Sequence, residues 1–198
     1  MRRIVLIDGE NFVYGIRILL GTQEEKAPRS IMNNLNIRGM LEDLLADAPP
    51  SEVIWFGAKM RIYEKTEELK VKSQAAVNIQ SAFVNYLQNQ RIQFIKVGNL
   101  RARETEACPD CGHQTWRLAE KGVDVGLAVR MLTESNENTE LVVVTSDTDL
   151  VPALKAAKKL GAKLMHVGYE NRPIMALSQL SDTTRTITLP LIQKFNNS

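Results

Sequence analysis

A chain of 198 residues with 44% hydrophobic and 24% charged residues has the makeup of one ordinary globular domain, which excludes a disordered or fibrous protein. A formal net charge of +2 does not mark a nucleic-acid binder, so any attraction for phosphate has to come from local clustering. No apolar run is long enough to cross a bilayer, and the Ile4–Ile7 run stops at Asp8, far short of an export segment; a cytoplasmic location with two reduced cysteines is expected, with no membrane partner.

In chain order, the runs Arg3–Ile7, Val53–Phe56, Ile92–Val97, Leu141–Thr145 and Lys163–Val167 are nearly continuous in apolar residues. That is the pattern of strands covered on both faces, as in a parallel sheet. Between them, 36–46 carries a helical stripe closed by Pro49-Pro50, and 67–89 repeats Ala76, Ile79, Phe83, Tyr86 and Leu87 at three- and four-residue steps. Residues 123–132 place Val125, Val129 and Leu132 on one stripe, and 150–160 do the same with Leu150, Leu154, Ala157 and Leu160 before Gly161. Strands alternating with helices predict a three-layer α/β fold, with a Rossmann-like, mainly parallel sheet and right-handed crossovers. One domain is expected over 1–198. Two segments fall outside the alternation: 21–34, read as a mobile loop, and 98–120, read as a cysteine-containing loop insertion.

Functional sites in such folds gather at the carboxyl ends of strands. Asp8 directly follows the first strand, with Asn11 three positions on; Asp147 and Asp149 directly follow the strand ending at Thr145. Asp124 falls in the first turn of its helix, close to Lys121. Each acid has an ordinary reading in isolation: Ser146-Asp147-Thr148 suits a helix cap, Asp8-Gly9 a turn with Asn11 capping a helix, and Asp124 an acid at a helix start. Delivery of carboxylates by three segments to one sheet edge is not required by capping. Clustered acids repel and lose hydration unless a cation neutralises them, and an all-oxygen set selects Mg²⁺ or Mn²⁺. The chemistry implied is hydrolysis of a phosphodiester, with Lys121 on a phosphate.

The segments Ile7-Asp8-Gly9-Glu10-Asn11, Lys121-Gly122-Val123-Asp124-Val125 and Thr145-Ser146-Asp147-Thr148-Asp149-Leu150 resemble the three signature segments of the NYN domain family, in its bacterial LabA-like branch. The resemblance runs from the first strand to about Val167, with 176–187 similar to the closing segment of such domains. It implies a PIN-like nuclease with a divalent-metal acidic site, RNA favoured over DNA as the partner, and self-association as a further expectation without an interface. Position by position, it implies Asp8, Asp124, Asp147 and Asp149 as metal-binding and catalytic, and Asn11 and Ser146 as polar groups beside them, Asn11 catalytic and Ser146 on substrate.

Cys108-Pro109-Asp110-Cys111-Gly112-His113 departs from that pattern. Cys108 and Cys111 have the spacing of half a zinc site, His113 offers a third ligand, and a fourth would come from Glu106, His166 or another subunit; two reduced thiols in a turn is the competing reading. Arg101 and Arg103, with Lys121, are candidate phosphate contacts, as are Lys59 and Arg61, while Trp116 or Tyr63 could stack bases. Two other functions compete. A haloacid dehalogenase-type phosphatase would use Asp147 but leaves Asp8 and Asp124 unexplained. A non-catalytic RNA-binding or regulatory module of the same family would keep the fold and the acids. No Gly-x-Gly-x-x-Gly follows a strand, which argues against a dinucleotide-binding dehydrogenase.

Overall fold

The computed structural model describes residues 1–21, 32, 34–107, 109–112 and 114–196. Its strands are β1 (Arg2–Asp8), β2 (Glu52–Lys59), β3 (Gln93–Glu104), β4 (Trp116–Lys121), β5 (Thr139–Val144), β6 (Lys163–Tyr169) and β7 (Thr183–Ile187). They form one sheet in the order β4-β3-β2-β1-β5-β6-β7, parallel throughout except for the β3–β4 pair. The helices are α1 (Gly9–Leu19), α2 (Ile37–Leu44), α3 (Glu67–Asn89), α4 (Val123–Glu134), α5 (Val151–Lys159), α6 (Met175–Leu180) and α7 (Leu189–Phe195).

The apolar runs explain the three layers, because a strand points successive side chains to opposite faces. In β1, Val5 and Ile7 join one core with α1, α2, α3 and α7, while Ile4 and Leu6 join a second core with α4, α5 and α6. Trp55 anchors the first core with its ring edge-on to Phe12 and Phe83, at centroid distances of 5.3 and 5.0 Å.

Several expectations are corrected. A helix follows β1 immediately: α1 buries Phe12, Ile16 and Leu19 at positions i, i+4 and i+7, and its cap is Asp8, with Asn11 inside its first turn rather than capping it. In α4 the buried seam is Leu127 and Met131; Val125 and Val129 are 61% and 56% exposed. Both seams have helical spacing, and the sheet takes the bulkier one. Likewise Ile79 of α3 and Leu160 beyond α5 are exposed. The span 98–120 is not a loop throughout: β3 continues to Glu104 and the chain returns as β4, an antiparallel ribbon at the sheet edge. Gly98 makes the bend, with φ +68° and room for no side chain, since a Cβ there would lie 2.1 Å from the Lys121 carbonyl oxygen. The segment expected to be a mobile loop lies largely outside the described residues.

Candidate active site

Asp8 ends β1 and begins α1, so its carboxylate sits where the sheet opens between β1 and β5. The turn is tight. A Cβ on Gly9 would lie 2.3 Å from Trp55 Nε1 and 2.5 Å from the Phe56 carbonyl oxygen, so only glycine lets α1 start against β2. The Asp8 side chain is 8% exposed and accepts three hydrogen bonds. Asn11 donates from its backbone N to Oδ1 (3.3 Å) and from Nδ2 to Oδ2 (2.8 Å), and Thr145 donates from Oγ1 to Oδ2 (3.1 Å). Burial pushes the Asp8 carboxyl above its ordinary range, against these donors and with a further upward push from the nearby Asp147 charge.

The same hydroxyl ties in the other strand end. Thr145 Oγ1 accepts the Asp147 backbone N–H at 3.0 Å, and Ser146 donates from Oγ and from N (3.4 Å) to Asn11 Oδ1. Asn11 is therefore fixed with its amide nitrogen on Asp8 and its oxygen on Ser146. Below them, His166 Nε2 lies 2.9 Å from the Thr145 carbonyl oxygen and must be the donor, since a carbonyl only accepts. His166 is 2% exposed, burial lowers its pKa, and its Nδ1 has no partner among the described residues. A neutral imidazole thus props the turn from beneath. Sequence reasoning considered His166 only as a zinc ligand; β6 stands four strands from β3, so it cannot reach the cysteine turn.

These groups open into a cleft of about 850 Å³ that Asp8, Glu10, Asn11, Asp147, Lys121 and Asp124 share. Asp124, in the first turn of α4, and Lys121, at the end of β4, are exposed on its rim. Asp147 is half-buried and accepts the Asp149 N–H at 2.9 Å, so it caps the short Thr148–Leu150 turn while lining the cleft. Asp149 is exposed and lies outside the lining, as do Ser146, Arg101 and Arg103. Glu10, Glu120 and Arg117 line the cleft and were not named from sequence. Glu10 was within the Asp-Gly-Glu-Asn segment, whereas Arg117 became visible only with β4. Tyr63 and Trp116 are engaged internally: the Tyr63 hydroxyl donates to the Leu100 carbonyl at 2.6 Å and accepts from Arg61 Nε at 2.8 Å, and Lys65 covers the Trp116 ring. Of the cysteine segment, Cys111 is exposed and unbonded between β3 and β4, while Cys108 and His113 lie outside the described residues.

Among the described residues, no three His, Cys, Asp or Glu side chains converge closely enough to enclose a metal ion. A caged Ca²⁺ or structural Zn²⁺ therefore does not fit this cleft. Mg²⁺ or Mn²⁺ does, because such ions bind through one or two carboxylates and keep water and substrate oxygens for the remaining positions. The buried Asp8 carboxylate, raised in pKa beside Asp147, gains from a cation.

The NYN domain model matches residues 2–189. The chain belongs to the NYN domain family. Membership makes it a nuclease-like domain, a class of hydrolases that generally use divalent metals on nucleic acid. A search of curated proteins finds no match. Among solved structures, a protein of unknown function from Vibrio parahaemolyticus RIMD 2210633 aligns with TM-score 0.57 at 14% identity, covering 94% of this chain and 92% of that one, a likeness of fold alone. A mutant phosphofructokinase-2 from Escherichia coli aligns with TM-score 0.38 at 11% identity over 84% of this chain and 54% of that one. No helix among the described residues is long and apolar enough to cross a membrane.

Proposed function

We propose that this NYN domain, of the LabA-like branch and PIN-like type, is a metal-dependent ribonuclease whose ion would be held by Asp8 and Asp147, with Asp124 on the rim of the same cleft and Asp149 just past Asp147 as further acids for it. One observation carries the reading. A nearly buried carboxylate, pushed toward protonation by burial and by a second carboxylate, is nevertheless held by three donors that favour its ionised form. A fold that needed only a helix cap would not bury the acid there; a cation site would. When bound, the divalent ion supplies an acidified water and neutralises charge on the phosphate. The chain's own residues do the rest. Asn11 and Thr145 fix the Asp8 oxygens, and His166 holds the Thr145 carbonyl in place. Lys121, exposed on the rim, would meet a phosphate oxygen, and Asp124 would hold water near it.

The family match and the gathering of Asp8 with Asp147 leave the phosphatase reading without support. The deciding experiment is Mn²⁺-dependent cleavage of labelled single-stranded RNA, beside duplex RNA and DNA. Wild type should cut RNA, and Asp8→Asn and Asp147→Asn should lose the activity while remaining folded. Equal cleavage by all three proteins would remove the assigned site. RNA retained but uncut at every metal concentration would leave a binding module.

A further inference from the structure

The edge ribbon carries a charge pattern that its packing does not require. Directly opposed residues of an antiparallel pair share a face. The pairs Asn99/Lys121, Arg101/Ala119 and Arg103/Arg117 therefore lie on one side of the ribbon, and Leu100/Glu120, Ala102/Leu118 and Glu104/Trp116 on the other. All four cations fall on the first side and both acids on the second. Lys59, paired with Asn99 in β2, extends the basic side toward the strand end.

Arg103 stands directly opposite Arg117, and like charges in that position destabilise a sheet. Arg2, Arg3, Arg38, Arg130 and Arg185 each have a carboxylate within reach. Arg101, Arg103, Arg117 and Lys121 have no such partner, hydrogen bond or ring contact among the described residues. An anion lying along the ribbon would supply what the fold withholds.

The row has direction and scale. Same-face residues along a strand are about 6.8 Å apart, and opposed Cβ atoms about 5 Å. Lys121, Arg101, Arg117 and Arg103 thus form a zigzag suited to two or three successive phosphates. It runs beside the cleft, which Lys121 and Arg117 both line, and its Lys121 end stands nearest Asp124. The cleft takes in both faces of the edge strand β4, and around that edge from the cations its wall is largely apolar: Leu100 and Leu118, on the ribbon's other side with Glu120, lie with Ile79 and Val125, which are 48% and 61% exposed. Exposed aliphatic side chains reached around one edge strand from a cationic row suit the unstacked bases of a flexible strand whose phosphates lie on that row. A duplex keeps its base faces stacked inside and can use only the cations.

We propose that the Lys121–Arg101–Arg117–Arg103 face is a phosphate track for single-stranded nucleic acid, seating a strand whose bases lie on the Ile79/Val125 wall and leading it into the carboxylate cleft. It rests on the ribonuclease reading in making that strand RNA.

The test is binding of a fluorescent twelve-nucleotide single strand to the intact protein in EDTA, across a salt series, with the matching duplex alongside. Each phosphate contact on a single strand contributes about 0.7 to the slope of log affinity against log salt. Arg103→Gln/Arg117→Gln should weaken binding and flatten that slope by about 1.4. Arg91→Gln, an exposed arginine just before β3 and so at the opposite end of that strand from Arg101 and Arg103, should leave the slope unchanged, and the duplex should bind more weakly than the single strand. An unchanged slope in the double variant, or an equal loss in Arg91→Gln, overturns the track. Equal affinity for the duplex overturns its single-strand character. Because no metal is present, the result is independent of cleavage. A track seen in protein that cuts no RNA with Mn²⁺ refutes the nuclease and upholds the track; Asp8-dependent cleavage with an unchanged slope does the reverse.

Discussion

Replacing Thr145 with valine keeps the shape of a fully buried side chain and deletes one hydroxyl. That oxygen donates to Asp8 Oδ2 at 3.1 Å and accepts the Asp147 N–H at 3.0 Å. A hydrogen bond to a charged group contributes about 2 kcal/mol, and the Asp147 amide left without an acceptor costs about 1 kcal/mol more. The sum, about 3 kcal/mol, lowers the thermal midpoint of a chain this long by about 6–12 °C. Both losses fall on the two acids assigned to the ion, so a displacement of either costs about a hundredfold in RNA cleavage. The assay is thermal unfolding by circular dichroism in metal-free buffer, at neutral and acidic pH, with cleavage measured on the same preparations. Because the lost donor supports the ionised form of Asp8, the gap from wild type should narrow as the buffer becomes acidic. A midpoint within about 1 °C of wild type at neutral pH, with full cleavage, would show that the Thr145 hydroxyl supports neither acid.

Asp8→Asn should raise the metal-free thermal midpoint at neutral pH while abolishing cleavage, asparagine being an equally good helix cap. The sign follows from the raised Asp8 pKa: the native state holds this proton more tightly than the unfolded chain, so stability falls as pH rises from the ordinary aspartate range through the folded value, and the variant lacks that loss. Mg²⁺ or Mn²⁺ should raise the wild-type midpoint and not the variant's; a lower midpoint for Asp8→Asn, or equal stabilisation by metal, refutes the assignment. Gly98→Ala places a side chain in a positive-φ bend against the Lys121 carbonyl, and should cost about 2 kcal/mol in denaturant unfolding and weaken RNA binding through displacement of Lys121. Unchanged unfolding and binding would mean that the ribbon does not depend on this bend.

How much was legible depended on which residues the physics constrains. The strands β1, β2, β5 and β6 announce themselves because both faces are buried, and continuous runs such as Ile4–Ile7 have no polar alternative. Asp8 and Asp147 follow from strand ends for the same reason. The edge strands do not: β7 reads Thr-Thr-Arg-Thr-Ile, exposed except at Ile187, and β4 reads Trp-Arg-Leu-Ala-Glu-Lys, with charged residues among the apolar ones. Missing β4 hid Arg117 and turned the basic ribbon into a nominal loop. Helix α1 was obscured by Gly9 and Gly15, poor helix formers kept because Trp55 and Tyr169 occupy the space of their side chains. In α4, periodicity marks two apolar stripes, and only the position of the sheet decides between them. Asp149, two residues past Asp147, falls beyond a tight turn, and spacing alone does not reveal on which side of it the side chain emerges.

The open side of β4 has a consequence for solubility. A sheet ends there with one strand whose outer backbone groups face solvent, the arrangement through which sheets of separate molecules stick together. Clustered positive charge on that strand and its neighbour repels a second copy approaching in the same way. Removing it to weaken substrate capture would also strip the protein of a guard against aggregation. The Arg103→Gln/Arg117→Gln protein should therefore precipitate at lower concentration than Arg91→Gln, although both remain folded.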